Sequence, residues 1–221
     1  MRISNMTAYY RIFGLAFVVA FTAGTAHAQG FAVAGGAKIV TMNDKVNKNQ
    51  FIWNSDAPLE NIRGTSEGVT GTLTMDPSDL STIRGTISTQ TSTMQTGNET
   101  RDRHLRSSEW LDVAHYPLIS FTITSVRNVT VNGTSATGTA TGTFAMHGAT
   151  KQMSIPFRMT YLPESAKTRE RAPGDLVMIA ADFTISLADY NIAGQEGMVG
   201  SKVGETIKIT AQLFGNALPK N

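Results

Sequence analysis

The chain predicts an all-β fold, a sandwich or a closed barrel of about eight strands. Three observations point there. Apolar and hydroxylated side chains alternate with period two over much of the length. Glycine, proline and asparagine punctuate the alternating runs, and only two stretches carry helical character.

In chain order, Arg2 and Arg11 precede an apolar run, Ile12 to Phe21, and the small residues Ala26-His27-Ala28 follow. A basic start, a short apolar core and an A-x-A site predict a secretory signal peptide over residues 1–28, cleaved near Ala28. The run falls short of the roughly 20 residues a spanning helix needs, so the protein is not expected to cross a membrane. Removing Arg2 and Arg11 from 19 basic residues balances them against 17 acidic ones. Such a chain lacks the basic footprint of a nucleic-acid binder. With no cysteine, stability must come from packing, and thiol catalysis and thiolate metal sites are excluded.

The alternating runs follow. Val69, Leu73 and Met75 interleave with Thr70, Thr72 and Thr74; Ile119, Phe121 and Ile123 interleave with Ser120, Thr122 and Thr124. Met153, Ile155, Phe157, Met159 and Tyr161 share one face, opposite Ser154, Arg158 and Thr160. Ile179, Phe183, Ile185 and Leu187 oppose Asp182, Thr184 and Ser186; Ile207, Ile209 and Leu213 oppose Lys208, Thr210 and Gln212. One apolar and one wettable face per strand suits an antiparallel sheet buried on one side. Pro77 ends one run, and Asn132-Gly133 is placed for a tight hairpin. The charged stretch Leu162 to Gly174 reads as a solvated loop, and the glycine-rich Asp189 to Glu205 as a flap or a long connection. Helical character is confined to an insert from about Asn98 and a turn near Ala188 to Asn191.

Catalytic patterns are few. Gly64-Thr65-Ser66-Glu67-Gly68 matches G-x-S-x-G, but a strand-like run follows where that elbow needs a helix. His104, His115 and His147 have no metal-ligand spacing and no carboxylate cluster, so no metal and no cofactor is expected. Asp102 near His104 suggests a general base, yet no nucleophile accompanies it. Arg101, Arg103 and Arg106 suit a phosphate or carboxylate head group. The alternative is internal neutralisation by Asp102, Glu109 and Asp112. Methionines on the apolar faces suit a tunnel for a floppy ligand as well as ordinary core filling.

Two segments carry a family resemblance: Thr96 to Val126, "TGNETRDRHLRSSEWLDVAHYPLISFTITSV", and Gly142 to Phe157, "GTFAMHGATKQMSIPF". Their T-G-N-x-x-R-D-x-H-L, D-V-x-x-Y-P-x-I-x-F and H-G-x-T-K strings, in that order, closely resemble the YceI-like family from about Asn47 to Phe214. The resemblance implies a lipocalin-like antiparallel β-barrel of about eight strands with one short helical insert. It assigns residues 47–216 to that barrel, 29–46 to a lead-in and 217–221 to a tail. It also implies export to the periplasm or beyond, no enzymatic activity, and an elongated apolar cavity for a polyisoprenoid or similar long-chain amphiphile. Family positions that match are Arg101, Asp102, His104 and Leu105, then Tyr116, Pro117 and Phe121, then His147, Gly148, Thr150 and Lys151. Two departures stand out. "NQFIWNSDAPLENIRG" lacks the family's opening histidine-serine pair, and "SLADYNI" lacks its arginine and glycine, although Asn191 can supply a left-handed turn.

The residues expected to contact a ligand are Arg101, Asp102, His104, Leu105, Tyr116 and His147, with a lining of Phe121, Ile123, Phe144, Ile155, Phe157, Met159, Phe183 and Ile185. The insert is expected to close or frame the cavity, with Trp110 and Leu111 packing. Two rival readings are a lipid-modifying enzyme using Asp102 and His104, and a structural or partner-binding module whose core is filled. The sequence leaves open the lipid, the partner proteins and the oligomeric state, a dimer included.

Overall fold

The computed structural model describes residues 30–220; the expected signal peptide lies outside them. Ten strands follow in order: β1 (Lys38–Met42), β2 (Gln50–Asp56), β3 (Asn61–Ser66), β4 (Thr70–Asp76), β5 (Asp79–Gln90), β6 (Leu118–Asn132), β7 (Ser135–Met146), β8 (Ala149–Leu162), β9 (Asp175–Ser186) and β10 (Thr206–Pro219). Two short helices are α1 (Glu99–Arg106) and α2 (Ala166–Arg169). All strand pairs are antiparallel, in the order β1-β4-β5-β6-β7-β8-β9-β10, and β1 pairs back onto β10 to close the barrel.

The eight-strand closure uses ten strands because two staves are interrupted. Along one edge of β10, Gly215 to Pro219 pair with β1, whereas Ile207 to Gln212 pair with β2. Next to them, β4 pairs with β1 and β3 with β2. β4 also joins β5, but β3 departs from it, keeping a side-chain bond from Thr89 to Ser66 and a backbone bridge from Thr65 to Gln95 just beyond the end of β5. An uncovered strand edge leaves backbone donors and acceptors unpaired. The segment 91–98 leading into α1 runs past that edge, and Thr65 and Gln95 exchange both N–H···O bonds at 2.9 Å.

Two sequence boundaries move. Lys38–Met42, placed in the lead-in, is a barrel strand, and Phe31 before it is buried in the core. Residues 217–219, placed in the tail, continue β10, with Ala217 paired to Val40 and fully enclosed. Leu162 to Gly174 is also more than a solvated loop. Ser165 and Thr168 form a capping box on α2, and Ala172 is buried against Val46 and Leu176. The 3-10 turn Ala188–Tyr190 ends at Asn191 with φ of 57°, the left-handed geometry expected of it.

Inward residues make two clusters along the barrel. One, around Val40, Leu73, Leu80, Met159, Tyr161 and Leu213, fills the end here called the base. The other, around Trp110, Phe144, Met146, Ile185 and Tyr190, lines the opposite end. At the base Phe31 stacks on Tyr161 with ring centroids 5.0 Å apart. Lys38 and the Tyr161 hydroxyl both donate to the buried carboxylate of Asp175, which also accepts from the Glu164 N–H at 2.9 Å.

Candidate functional site

Between these clusters lies a cavity of about 520 Å³, walled by inward side chains of the barrel. Strand β7 gives the wall one small residue, Ala140. Its inward positions run Ala136, Gly138, Ala140 and Gly142 before reaching Phe144 and Met146, so half of that stave contributes almost no side-chain volume. A methyl on Gly138 would sit 2.9 Å from the Phe157 ring, which already leans over that position. Facing strands supply bulk: Phe121 and Ile123 from β6, Ile155, Phe157 and Met159 from β8, and Phe183 and Ile185 from β9. Alternating small and large inward residues is how a small barrel keeps room for one ligand instead of a filled core.

The cavity grades from apolar to polar. Leu73, Ile83, Val126, Met159 and Leu213 form its deep end next to the base. At the other end three segments meet: the insert 91–117, the β2–β3 connection at Ala57–Glu60, and the connection 189–205. They contribute Thr96, Asn98, Thr100, Arg101, His104, Glu60, Gln195 and Lys202 to the lining. Few contacts clasp this mouth. Gln195 donates to Glu109 at 2.8 Å, Leu59 N–H to the Ser201 carbonyl at 3.0 Å, and Gly204 N–H to Ser55 Oγ at 2.9 Å. Trp110, which also lines the cavity, packs over Gly194, whose φ of 64° and missing side chain both make room for the indole.

The arginines of the insert do not converge. Arg101 alone of the three lines the cavity, and its Nη2 donates to Glu60 Oε1 at 2.6 Å. Arg103 reaches only the Thr100 hydroxyl at 3.1 Å, and Arg106 donates to the Met94 carbonyl at 3.0 Å. Internal neutralisation fails too. Asp102 accepts from Thr96, Glu109 from Gln195 and Asp112 from His115, none of them an arginine.

The structure therefore sorts the sequence-derived positions into two groups. Arg101, His104, Leu105, Phe121, Ile123, Phe144, Ile155, Phe157, Met159, Phe183 and Ile185 stand on the cavity wall. Asp102, Tyr116 and His147 do not. Asp102 is buried and takes 2.7 Å bonds from both the Thr96 N–H and hydroxyl, which bends the chain into α1 behind the Asn98 cap. No described hydrogen bond links it to His104, so the Asp102–His104 general-base pair is not assembled. His147 occupies the β7–β8 turn with φ of 48°, donates through Nδ1 to the Tyr190 carbonyl at 2.9 Å, and meets the Tyr116 ring edge-on at 4.7 Å. Lys151 pairs with Asp189 at 3.1 Å beside it. Gly148, with φ of 72°, lets Tyr116 come so close that a Cβ would lie 2.9 Å from the ring. These residues brace the outside of the mouth end. They tie the 112–117 turn, the β7–β8 hairpin and the 188–191 turn together. Burial, then the neighbouring Asp189, pushes the Tyr190 phenol above its ordinary value.

The G-x-S-x-G match has no elbow around it: β3 runs to Ser66, β4 starts at Thr70, and Ser66 is fully buried. Among the described residues no group of three or more His, Asp or Glu is placed to hold a metal, and no helix is long and apolar enough to span a membrane.

Several wall residues were not read from the sequence. Phe51 and Trp53 of β2 alternate with Ile52 and Asn54, a signal obscured by the apolar Ile52 on the outer face and by inward Ser55. Met198 and Lys202 sit in a glycine-rich connection without periodicity, and nothing local marks Glu60.

Residues 39–214 match the family model of the YceI-like domain, and the chain belongs to that family. The "Protein YceI" of Salmonella newport is 26% identical over 189 residues, covering 86% of this chain and 90% of the relative; that of Salmonella arizonae gives the same values. Among solved structures, the fold is similar to Burkholderia cenocepacia BcnA, with a TM-score of 0.56 and 15% identity over 80% of this chain and 95% of that one. A polyisoprenoid-binding domain from Saccharophagus degradans, implicated in plant cell wall breakdown, aligns with a TM-score of 0.58 and 13% identity, covering 81% of this chain and 98% of its own.

Proposed function

We propose that this YceI-like protein is a carrier that holds the hydrocarbon tail of a polyisoprenoid or similar long-chain amphiphile inside the barrel, tail toward the base and head at the mouth. The observation that carries this is the cavity itself: about 520 Å³, apolar through its depth, closed at one end and polar at the other. Ligand sites of this kind typically measure about 300–1,000 Å³. Each methylene withdrawn from water contributes about 0.8 kcal/mol. A tail of many carbons thereby offsets an association cost of about 4–15 kcal/mol. The Saccharophagus domain, named for polyisoprenoid binding, supports the same ligand class. The leader-like residues 1–28 support release into the periplasm or medium, where such a tail needs shelter from water.

The test is native mass spectrometry of protein produced in its own host, followed by organic extraction of any passenger and sequencing of the mature N-terminus. A bound long-chain lipid and a start near Gln29 are expected. A protein that carries no lipid, and takes up none when offered purified polyprenols, overturns the carrier reading. Turnover of an offered lipid, lost in His104→Ala, would move the protein into the enzyme class instead.

A further inference from the structure

We infer that the flank of the barrel beside the base docks on an anionic lipid surface, and that it does so whatever fills the cavity. Two connections and the end of β10 meet on that flank. Val46, from the connection 43–49, packs on Ala172 and Leu176 with Phe214 alongside. Arg171 Nη1 donates to the Val46 carbonyl and the Asn216 amide to the Pro173 carbonyl, both at 2.9 Å. Leu218 reaches the same corner, since a Cβ on Gly174 would lie 2.8 Å from its side chain. Buried contacts and hydrogen bonds thus hold these loops together as one surface.

The surface combines greasy side chains with unpaired cations. Leu162, Met178 and Leu218 are 40%, 41% and 44% exposed. Leu162 pairs with Leu176 and Met178 with Phe214, so both border the same corner. Around them Lys45, Lys48, Lys167, Arg169, Arg171 and Lys220, all exposed, outnumber Asp44, Glu164 and Glu170. Lys48 pairs with Glu67 and Arg169 with Glu164. Lys45, Lys167, Arg171 and Lys220 have no ion-pair partner among the described residues. The three mouth segments carry the opposite excess, eight carboxylates against four Lys or Arg. Charge is therefore polarised along the barrel axis.

Long cationic stems around scattered apolar side chains suit a fluid anionic surface. The cations meet phosphate oxygens while leucine and methionine enter the acyl boundary one at a time. A protein partner is built around a contiguous, desolvated apolar centre, which three separated side chains do not make. The same anionic surface repels the acidic mouth, so the docked barrel keeps its opening toward water.

The experiment measures co-sedimentation of the mature protein with vesicles of phosphatidylcholine, alone or with about 30% phosphatidylglycerol, at about 50 and about 500 mM salt. At low salt the anionic vesicles are expected to bind at least about tenfold more tightly, and most of that preference is lost at high salt. Lys45→Glu, Lys167→Glu and Lys220→Glu together are expected to weaken this binding at least about tenfold. Arg63→Glu, Arg103→Glu and Arg127→Glu change net charge equally through exposed residues outside the patch, and should stay within about threefold. Leu162→Ser with Leu218→Ser should lower affinity at least about threefold. No anionic preference overturns the inference, as does equal loss in the two charge variants, each shown to be folded by thermal melting. Unchanged affinity in the leucine variant overturns insertion of the apolar side chains. Self-association in place of vesicle binding, abolished by the lysine substitutions, would hand the patch to a protein partner and also overturn it. None of these outcomes bears on the carrier reading, which native mass spectrometry tests separately.

Discussion

The two ends of the barrel are built from the same long strands and held shut in opposite ways. At the base, Phe31, Tyr161, Val40 and Leu80 pack with almost no exposure, and a buried carboxylate collects a lysine, a phenol and a backbone amide. At the mouth, three irregular segments meet through a few hydrogen bonds, the packing of Trp110 over Gly194 and one partly exposed ion pair. Dense apolar contact plus a fully satisfied polar cluster gives a closure that opens only when the protein unfolds. Fewer contacts, several of them exposed to solvent, give one that opens at lower cost. If the carrier reading holds, the densest packing and the proposed ligand path are segregated along one axis, and each should be alterable with little effect on the other.

The largest effect expected from breaking this division is at the base. Asp175→Asn strands the Lys38 ammonium and weakens the Tyr161 bond. Removing one member of a buried pair costs about 3–5 kcal/mol; with Lys38 24% exposed, about 2–3 kcal/mol is expected here. The midpoint of urea unfolding should fall with its slope unchanged, while lipid affinity of the folded protein stays within twofold. A loss below about 0.5 kcal/mol would show that the base is not the anchor. Next in size, Ala140→Trp projects an indole into the cavity from the small-residue stave. It should weaken tail binding more than about tenfold, roughly 1.4 kcal/mol, and move the melting temperature far less than Asp175→Asn does. An unchanged lipid affinity would mean that the tail lies elsewhere.

Smaller, and confined to acid, is the titration of Asp175. Burial alone would raise its pKa; the Lys38 and Tyr161 hydrogen bonds, the Glu164 amide and the charge of Lys38 outweigh it and hold the carboxyl below its ordinary value. The stabilisation from this ionised group is therefore complete above the ordinary carboxylate range and is lost as pH falls through the lowered value. Unfolding free energy measured from neutral to acidic pH should decline on the acid side in the wild-type protein and less steeply in Asp175→Asn. Equal slopes would dissociate the cluster from acid sensitivity. The smallest effect belongs to the mouth. Gln195→Ala removes one clasp, should cost below about 0.5 kcal/mol of stability, and should at least double the rate at which a bound fluorescent fatty acid is released. A stability loss comparable to that at the base would erase the contrast between the ends.

The barrel was legible because β8, β9, β10 and the first half of β6 alternate, so their inward faces could be assigned residue by residue; beyond Ile123 two bulges shift the register of β6 and hid inward Val126. Strand β7 hid in plain view. Four of its inward positions, Ala136, Gly138, Ala140 and Gly142, are alanine or glycine, which carry little hydrophobic signal. β1 escaped because its five residues read as a continuation of the lead-in until β10 and β4 flank it. At the mouth, the family-like strings pointed to Asp102, Tyr116 and His147 as readily as to Arg101 and His104, since a string does not say whether its side chains face inward or brace a turn. The Arg101–Glu60 pair spans 41 positions, and only the register of β2 on β10 and β3 on β2 brings it about. Local pattern carries no information about such a pairing.

The departure of β3 from β5 has a consequence of its own. A hoop of hydrogen bonds that runs unbroken all round has a fixed girth, whereas this one is slit lengthwise from the level of Thr65 upward and fastened there by the exchange with Gln95 and, higher up, by the Arg101–Glu60 pair. The cuff of the sleeve has no strand ladder to tear along that slit, which is where the proposed carrier would widen for a passenger bulkier than the bore.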